Sequence, residues 1–176
     1  MQEPPVSGPI NVRAPRYFGA RALCACWRCR RETLVLGIAL GAEHETWIDA
    51  AEGSLGAGRA SGVWQAARAG AWLFFVEHIA VPVRRRLQLL SPWYRYAHNR
   101  ATDGSYWINH CSQCGSAQDD DYLHGEPDVA FMPITAAAAA RIELCAIDEP
   151  LAAWVGGYCE NPPLFEAMRV APPLRC

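Results

Sequence analysis

The chain has 176 residues, of which 51% are hydrophobic, enough for one sizeable core or one core with a small satellite module. Its formal charge of −2 gives no bulk attraction to nucleic acid or anionic lipid, whose binding proteins are usually basic. All sixteen basic residues are Arg, a bias that either GC-rich codon usage or selection against lysine modification would produce.

The first third of the sequence predicts an arm, a buried strand and a flexible loop. Residues 1–15 contain four prolines, which interrupt regular structure, so we expect a flexible N-terminal arm ahead of one domain over residues 16–176. Residues 33–40 are rich in branched apolar side chains and predict a buried strand. Residues 53–62 contain four glycines and predict a flexible loop.

Helices and strands are predicted to alternate in the middle of the chain. Residues 63–69 predict a short helix, and residues 72–79 predict a strand. Pro82 is suited to the first turn of a helix, and the Ser91-Pro92 dipeptide should end that helix.

A β-hairpin is the clearest prediction in the second half. Residues 93–98 and 106–110 alternate aromatic and polar side chains around an Asp-Gly turn. The further predictions are an acidic loop over residues 118–128, a short helix over 136–140, a strand over 141–147 and a short helix over 164–170. The predicted class is therefore α+β, with a mainly antiparallel sheet and a few short helices.

Two CxxC pairs carry the most specific chemistry in the sequence: Cys26 with Cys29, and Cys111 with Cys114. Zinc prefers four thiolate or imidazole ligands in a tetrahedron, and two Cys separated by two residues reach one ion from a tight turn. We therefore predict one structural Zn²⁺ held by all four Cys in two zinc-knuckle hairpins, as in a zinc ribbon. The roughly eighty residues between the pairs imply a long insertion, at about 41–92. An iron–sulfur cluster is the alternative for four Cys ligands.

Two other residues are candidates for the metal site. Cys24 lies two residues before Cys26, so strand alternation could direct both to one face. His124 follows Cys114 by ten residues and could approach the metal from the predicted loop. Neither is expected to replace a cysteine ligand. The remaining thiols, Cys145, Cys159 and Cys176, are expected to be ordinary buried cysteines.

A set of short segments resembles a known family. The segments are CWRCRRET at 26–33, YWINHCSQCG at 106–115, LHGEP at 123–127 and Phe131. They are similar to a family of uncharacterised bacterial zinc-ribbon-like proteins with the pattern CWxC, then YWxNHCxxCG and LHxEP. The resemblance covers chiefly residues 22–40 and 93–133, and it implies a bacterial origin and the same four metal ligands but no activity. Arg30 departs from the family, in which Gly is frequent at this position.

The sequence favours a non-enzymatic role. Four Cys close the coordination shell of a zinc ion, whereas a catalytic zinc keeps an open position for water. Asp119, Asp120 and Asp121 are expected to form a solvated loop rather than a cation site. The alternative is an enzyme or effector with its active site in the α+β body and a purely structural zinc. It predicts a pocket that gathers some of His44, His78, His98, Glu77 and residues 119–121.

Aromatic and arginine side chains near the two pairs are candidates for partner binding. They are Trp27, Arg28, Arg30, Arg31, Tyr106 and Trp107. Trp, Tyr and Arg are typical of protein-interface hot spots and can also stack on single-stranded bases. We expect a protein partner. The alternatives are nucleic acid, or no partner at all if the aromatic side chains form the core of a small module around the metal.

The expected compartment is the bacterial cytoplasm, with a secreted effector as the alternative. The N-terminal residues lack a charged start followed by an apolar run, so no export signal is predicted. The most hydrophobic stretch, residues 63–83, contains Arg68, Glu77 and His78 and is therefore expected to belong to the core rather than to a membrane.

Overall fold

The computed structural model describes residues 10–49 and 62–171 of the chain. These residues form twelve strands, three α-helices and one 3-10 turn. The strands are β1 (Val12–Ala14), β2 (Tyr17–Ala25), β3 (Glu32–Leu40), β4 (Glu45–Asp49), β5 (Gly62–Ala66), β6 (Ala71–Ile79), β7 (Tyr94–Asn99), β8 (Gly104–His110), β9 (Ala117–Gln118), β10 (Glu143–Ile147), β11 (Leu151–Glu160) and β12 (Arg169–Ala171). The helices are α1 (Val81–Leu90), α2 (Asp120–Gly125) and α3 (Ala136–Ala139), and the 3-10 turn is Phe165–Ala167.

The strands of the described residues form one sheet. Its main path runs β12-β10-β2-β3-β6-β11-β1-β4-β5, and β8 joins this path by pairing with β6 while carrying β7 and β9. In the described part of the chain, β10 and β12 are parallel and the other pairs are antiparallel. The predicted class, α+β with a mainly antiparallel sheet, is confirmed.

Two hydrophobic cores lie on the two faces of the sheet. The first contains the buried side chains of α1 together with Leu36 and Leu73. The second contains Val35 and Trp72, and α2 contributes Leu123 to it. Neighbouring residues of β3 thus enter different cores. This burial on both faces explains why the strand is a continuous apolar run rather than an alternating one.

Several predicted elements are confirmed. The strands expected over 33–40 and 72–79 are β3 and β6, and the helix expected from Pro82 is α1. The hairpin is formed by β7 and β8. The residues expected to form an insertion contribute β4, β5 and β6 to the same sheet and α1 to the first hydrophobic core, and β6 pairs with β3, β8 and β11.

The helix predicted over residues 63–69 is wrong, because this segment contains strand β5. β5 pairs with β4 in a register that sets Trp64 opposite Trp47, and the two rings meet edge to face at 5.4 Å between centroids. Aromatic cross-strand pairs of this kind stabilise a sheet. A short segment without helix caps gains more stability from this strand pairing than it would from forming one isolated helical turn.

The acidic loop predicted over residues 118–128 is also wrong. The Asp119 side chain accepts a hydrogen bond from the N–H of Asp121 (2.9 Å) and caps helix α2. Carboxylates in the first turn favour a helix because they complement its positive N-terminal end. Asp120 is buried rather than solvated, and its carboxylate accepts a hydrogen bond from the N–H of Phe75 (2.6 Å).

The two ends of the described chain also differ from expectation. Val12–Ala14, inside the expected flexible arm, forms β1 between β4 and β11. The segment 164–170 contains a 3-10 turn and then β12 rather than one short helix. Residues 1–9 and most of the predicted glycine loop, 53–61, lie outside the described residues.

Candidate metal centre

The first CxxC pair lies in the turn that joins β2 to β3. The N–H of Cys26 donates to the carbonyl oxygen of Arg31 (2.9 Å), and the N–H of Arg30 donates to the carbonyl oxygen of Cys26 (3.0 Å). These two hydrogen bonds fold the chain around Cys29. Arg30 completes the turn with a left-handed backbone, at a φ of 61°.

The second pair lies in the turn that joins β8 to β9 and repeats the same pattern. The N–H of Cys111 donates to the carbonyl oxygen of Ser116 (2.9 Å), and the N–H of Gly115 donates to the carbonyl oxygen of Cys111 (2.9 Å). Gly115 has a φ of 72°, so it occupies the left-handed position that Arg30 occupies in the first turn. The two turns are therefore equivalent residue by residue.

The two turns bring the four thiol sulfurs together. All four Sγ atoms, from Cys26, Cys29, Cys111 and Cys114, lie within 4.8 Å of one another. The Sγ atoms of Cys26 and Cys114 are 3.8 Å apart, and those of Cys29 and Cys111 are 3.7 Å apart. Each short distance joins one turn to the other. This four-cysteine cluster could hold a metal ion.

Two residues that the sequence did not single out bind the sulfurs. The Ser116 hydroxyl lies 3.4 Å from the Sγ of Cys26 and 3.1 Å from the Sγ of Cys114. The buried side chain of Gln118 donates to the Sγ of Cys26 (3.3 Å) and accepts from the N–H of Trp27 (3.2 Å). The spacing of Ser116 and Gln118 after the second pair carries no specific chemical signature, so only the fold reveals their role.

Backbone N–H groups also point at the sulfurs. The N–H of Cys29 donates to the Sγ of Cys26 (3.5 Å), and the N–H of Gln113 donates to the Sγ of Cys111 (3.4 Å). Burial acts to raise the pKa of the Cys26 thiol, but the N–H of Cys29 and the Ser116 hydroxyl outweigh it and lower that pKa to about 5. Metals bind the thiolate form, which this environment favours at Cys26.

Further hydrogen bonds connect the two turns outside the sulfur cluster. The indole N–H of Trp27 donates to the carbonyl oxygen of Ala117 (2.6 Å). The N–H of Ser112 donates to the Thr33 hydroxyl (3.2 Å), which is buried. The protein therefore holds the two turns against each other with its own groups.

Asn109, in the strand before the second pair, makes a longer-range connection. Its buried side-chain amide accepts from the N–H of Leu36 and donates to the carbonyl oxygen of Leu36, both at 2.8 Å. The side chain thus makes the two hydrogen bonds that the backbone of a paired strand would make, and it connects β8 to β3. An Asn in the middle of an apolar strand was the visible signal for such a role.

The other candidate ligands lie outside the four-sulfur cluster. Cys24 is buried, and burial together with the neighbouring Cys26 raises the pKa of its thiol to about 12. The His124 ring packs against Phe74 and Phe131, with centroid distances of 5.3 and 4.8 Å. Burial lowers the pKa of His124 to about 3, so the ring is neutral within an aromatic cluster.

The expected partner-binding residues divide into two groups. Trp27 is 48% exposed, and Arg28, Arg30 and Arg31 are exposed around it. Tyr106 and Trp107 are each only 2% exposed, because their rings pack inside the sheet. The side chains of these two residues therefore offer almost no surface to a partner.

The residues named for the enzyme alternative lie on several different elements of the structure. His44 is buried, with Nδ1 2.6 Å from the carbonyl oxygen of Gly41 and Nε2 2.8 Å from the Tyr158 hydroxyl. His98 lies 3.7 Å from the exposed Asp103 in the β7–β8 hairpin. A cavity of about 210 Å³ is lined by Asp120, Asp121 and His124, but by none of His44, His78, His98 and Glu77.

Comparison with known proteins gives no relative for this chain. No protein-family model, curated protein or solved structure matches it. Among the described residues, none of the helices combines the length and the apolar character that a membrane crossing requires.

Proposed function

We propose that the four cysteines bind one structural zinc ion and that the zinc-bound turns belong to a non-enzymatic module for protein interaction. The observation that carries the proposal is the spacing of the sulfurs. Four sulfurs at about 2.3 Å from a tetrahedral zinc are about 3.8 Å from one another. The two Sγ–Sγ distances across the turns, 3.8 and 3.7 Å, match this geometry.

Zinc fits the cluster better than an iron–sulfur centre does. An iron–sulfur cluster places several atoms between its cysteine ligands, so its sulfurs lie farther apart than they do around a single ion. The similarity to bacterial zinc-ribbon-like proteins, carried by residues 26–33 and 106–115, also favours zinc and a bacterial protein. On this proposal both CxxC turns are zinc knuckles.

The ion is structural on this proposal. Four thiolates fill the tetrahedron and leave no position for a reacting water. Ser116 and Gln118 contact the sulfurs without opening that shell. The zinc would link two cysteine pairs that are about eighty residues apart in the sequence. It would add to the hydrogen bonds that already connect the two turns.

The exposed side of the first turn is the proposed partner surface. Trp27 presents half of its side chain to solvent next to Arg28, Arg30 and Arg31. An aromatic anchor surrounded by guanidinium groups is typical of protein interfaces. A protein partner suits the chain better than nucleic acid, because the net charge of −2 provides no general attraction to phosphates.

The metal is identified by exchange with cobalt. Protein refolded with Co²⁺ should show the strong visible absorption of tetrahedral thiolate coordination, and added Zn²⁺ should remove it. A brown protein that contains both iron and inorganic sulfide would overturn the zinc assignment.

The class of partner is tested with a labelled single-stranded oligonucleotide at low ionic strength. We expect no change in its fluorescence anisotropy. Binding that weakens steeply with salt and is lost in Arg28→Ala and Arg31→Ala would show that the partner is nucleic acid rather than protein.

A further inference from the structure

The cavity of about 210 Å³ beside helix α2 is lined mainly by aromatic and apolar side chains. Strand β6 contributes Trp72 and Phe74, helix α2 contributes His124, and Phe131 follows that helix. We call it the aromatic cavity. A cavity of about 150 Å³ accommodates benzene. The aromatic cavity is therefore large enough for one aromatic ring with a substituent.

The rings that line the aromatic cavity are packed against one another. The centroid of the Trp72 ring lies 5.6 Å from that of His124 and 5.0 Å from that of Phe131. The His124 ring stacks on Phe74, with 5.3 Å between the centroids. These contacts fix the positions of the rings, and an aromatic lining favours a flat ligand that packs edge to face or with an offset.

Two buried nitrogen atoms of the lining residues have no hydrogen-bond partner within the described part of the chain. They are Nε1 of Trp72 and Nδ1 of His124. Trp72 is only 2% exposed. Buried polar groups in folded proteins are almost always hydrogen-bonded. Two such atoms in residues that line one cavity therefore indicate a ligand with a hydrogen-bonding group.

The chemistry of the lining residues restricts this ligand further. An indole N–H only donates, so the group that pairs with Trp72 must accept. A neutral imidazole nitrogen either donates or accepts, and a hydroxyl group suits it in both cases. Asp120 and Asp121 line the cavity, and none of its described lining residues is an arginine. This charge disfavours an anion, while an ammonium group lacks the acceptor that the indole N–H requires.

We propose that the aromatic cavity binds a small neutral aromatic molecule that carries a hydroxyl group. The hydroxyl oxygen accepts from the indole N–H of Trp72 and pairs with Nδ1 of His124. The aromatic ring packs against Phe74 and Phe131. The exposed residue Cys159 lies on the solvent side of the cavity, where the ligand enters. Within the described chain, none of the four clustered cysteines lines the cavity, so the inference is independent of the zinc proposal.

Methionine side chains report on binding at this place. The chain has three Met, of which Met132 lines the cavity and Met168 packs in the second hydrophobic core outside the lining. Phenol is titrated into the zinc-loaded full chain with isotopically labelled Met methyl groups, and binding is followed by NMR. The Met132 resonance should shift until it saturates, while the Met168 resonance stays in place. No saturable shift of Met132, or equal shifts of both resonances, would overturn the inference.

The need for a neutral hydroxyl is tested with ligands of similar size. Phenol should bind more tightly than toluene, benzoate and benzylamine in the same titration. A purely apolar cavity would prefer toluene, because phenol gives up its hydrogen bonds to water on entering it. Tighter binding of toluene would therefore refute the hydrogen bonds to the hydroxyl. Tighter binding of benzoate or benzylamine would show that the ligand is charged and would refute the proposed class.

The role of the indole N–H is tested on the protein. Trp72→Phe keeps an aromatic ring but removes this donor, so it should weaken phenol binding by roughly three- to tenfold and leave toluene binding nearly unchanged. Toluene thus shows whether the cavity itself persists in the variant. An equal loss of affinity for both ligands would contradict the hydrogen bond.

Trp107→Phe is the matched control. Trp107 is also 2% exposed, and its Nε1 also lacks a partner among the described residues, but it belongs to the first hydrophobic core and does not line the cavity. This variant should bind phenol as the wild type does. A loss of phenol affinity as large as that in Trp72→Phe would contradict the assigned site.

Discussion

Arg30 and Gly115 occupy equivalent places, directly after the second cysteine of each turn, and both have a left-handed backbone. A side chain with a Cβ costs about 1–2 kcal/mol in this conformation, whereas Gly adopts it freely. The first turn therefore carries a strain that the second turn does not.

Substitutions at these two positions should have opposite effects. Arg30→Gly should raise the free energy of unfolding by roughly 0.5–1 kcal/mol, and Gly115→Ala should lower it by roughly 1–2 kcal/mol. A Cβ at Gly115 would meet no atom within 4 Å, so the cost is conformational rather than steric. Urea unfolding of the zinc-loaded protein measures both changes.

Gly125→Ala is the control for this pair. Its Cβ would also meet no atom within 4 Å, but its backbone is not left-handed. We expect it to be neutral or slightly stabilising. If Gly115→Ala behaved in the same way, the conformational account of the turn would fail.

Asp120 is the residue whose protonation should most affect stability. Burial raises the pKa of its carboxyl from 3.8 to about 7, although the N–H of Phe75 acts to lower it. A pKa that is raised by folding contributes stability that is complete below about pH 4 and is lost as the pH rises through about 7. Asp120→Asn removes this titration and keeps an acceptor for the N–H of Phe75.

The free energy of unfolding of Asp120→Asn should therefore rise relative to that of the wild type by about 2–3 kcal/mol between about pH 5 and pH 8. Chemical unfolding of the two proteins at several pH values measures this difference. Zinc release at low pH affects both proteins equally and cancels. A difference in the free energy of unfolding that does not change with pH would show that folding does not raise the pKa of the Asp120 carboxyl.

At the scale of elements, β3 and β8, the strands next to the two cysteine turns, are connected by hydrogen bonds as well as by the contacts between the sulfurs. The amide of Asn109 satisfies both backbone groups of Leu36 inside the core. The strand before the second turn is therefore fixed to the strand after the first turn. This connection sets the distance between the turns before any metal binds.

Asn109→Ala should lower the free energy of unfolding by roughly 2–4 kcal/mol, because it leaves a buried N–H and a buried C=O without partners. It should also weaken zinc binding, which a competition with a chromogenic chelator measures. Asn99→Ala is the comparison, since the Asn99 amide is only partly buried and donates to Tyr106 and Asp119 rather than to β3. A loss of zinc affinity as large in Asn99→Ala would show that the connection through Leu36 is not specific.

At the scale of the whole molecule, the features that could be predicted from the sequence are those that depend on local composition. The four cysteines, β3, β6 and the β7–β8 hairpin follow from short patterns with one strong interpretation. β5 was predicted as a helix because its conformation is decided by pairing with β4, a contact that the composition of the segment itself does not reveal. Ser116 and Gln118 could not be predicted as contacts of the sulfurs, because only the fold brings them there.

The whole molecule also explains how two distant pairs meet. The segment between them is built into the sheet, where β6 pairs with β3 and β8, the strands that bear the two turns. The sheet therefore brings the turns together, and the zinc would fix them there.

The zinc content of the chain, purified without added metal and measured by elemental analysis, tests the central claim most directly. The wild type should contain about one zinc per chain. Cys26→Ser should contain far less, while Cys159→Ser, whose exposed thiol lies outside the cluster, should match the wild type. A wild type without zinc, or equal zinc in Cys26→Ser and the wild type, would contradict the account.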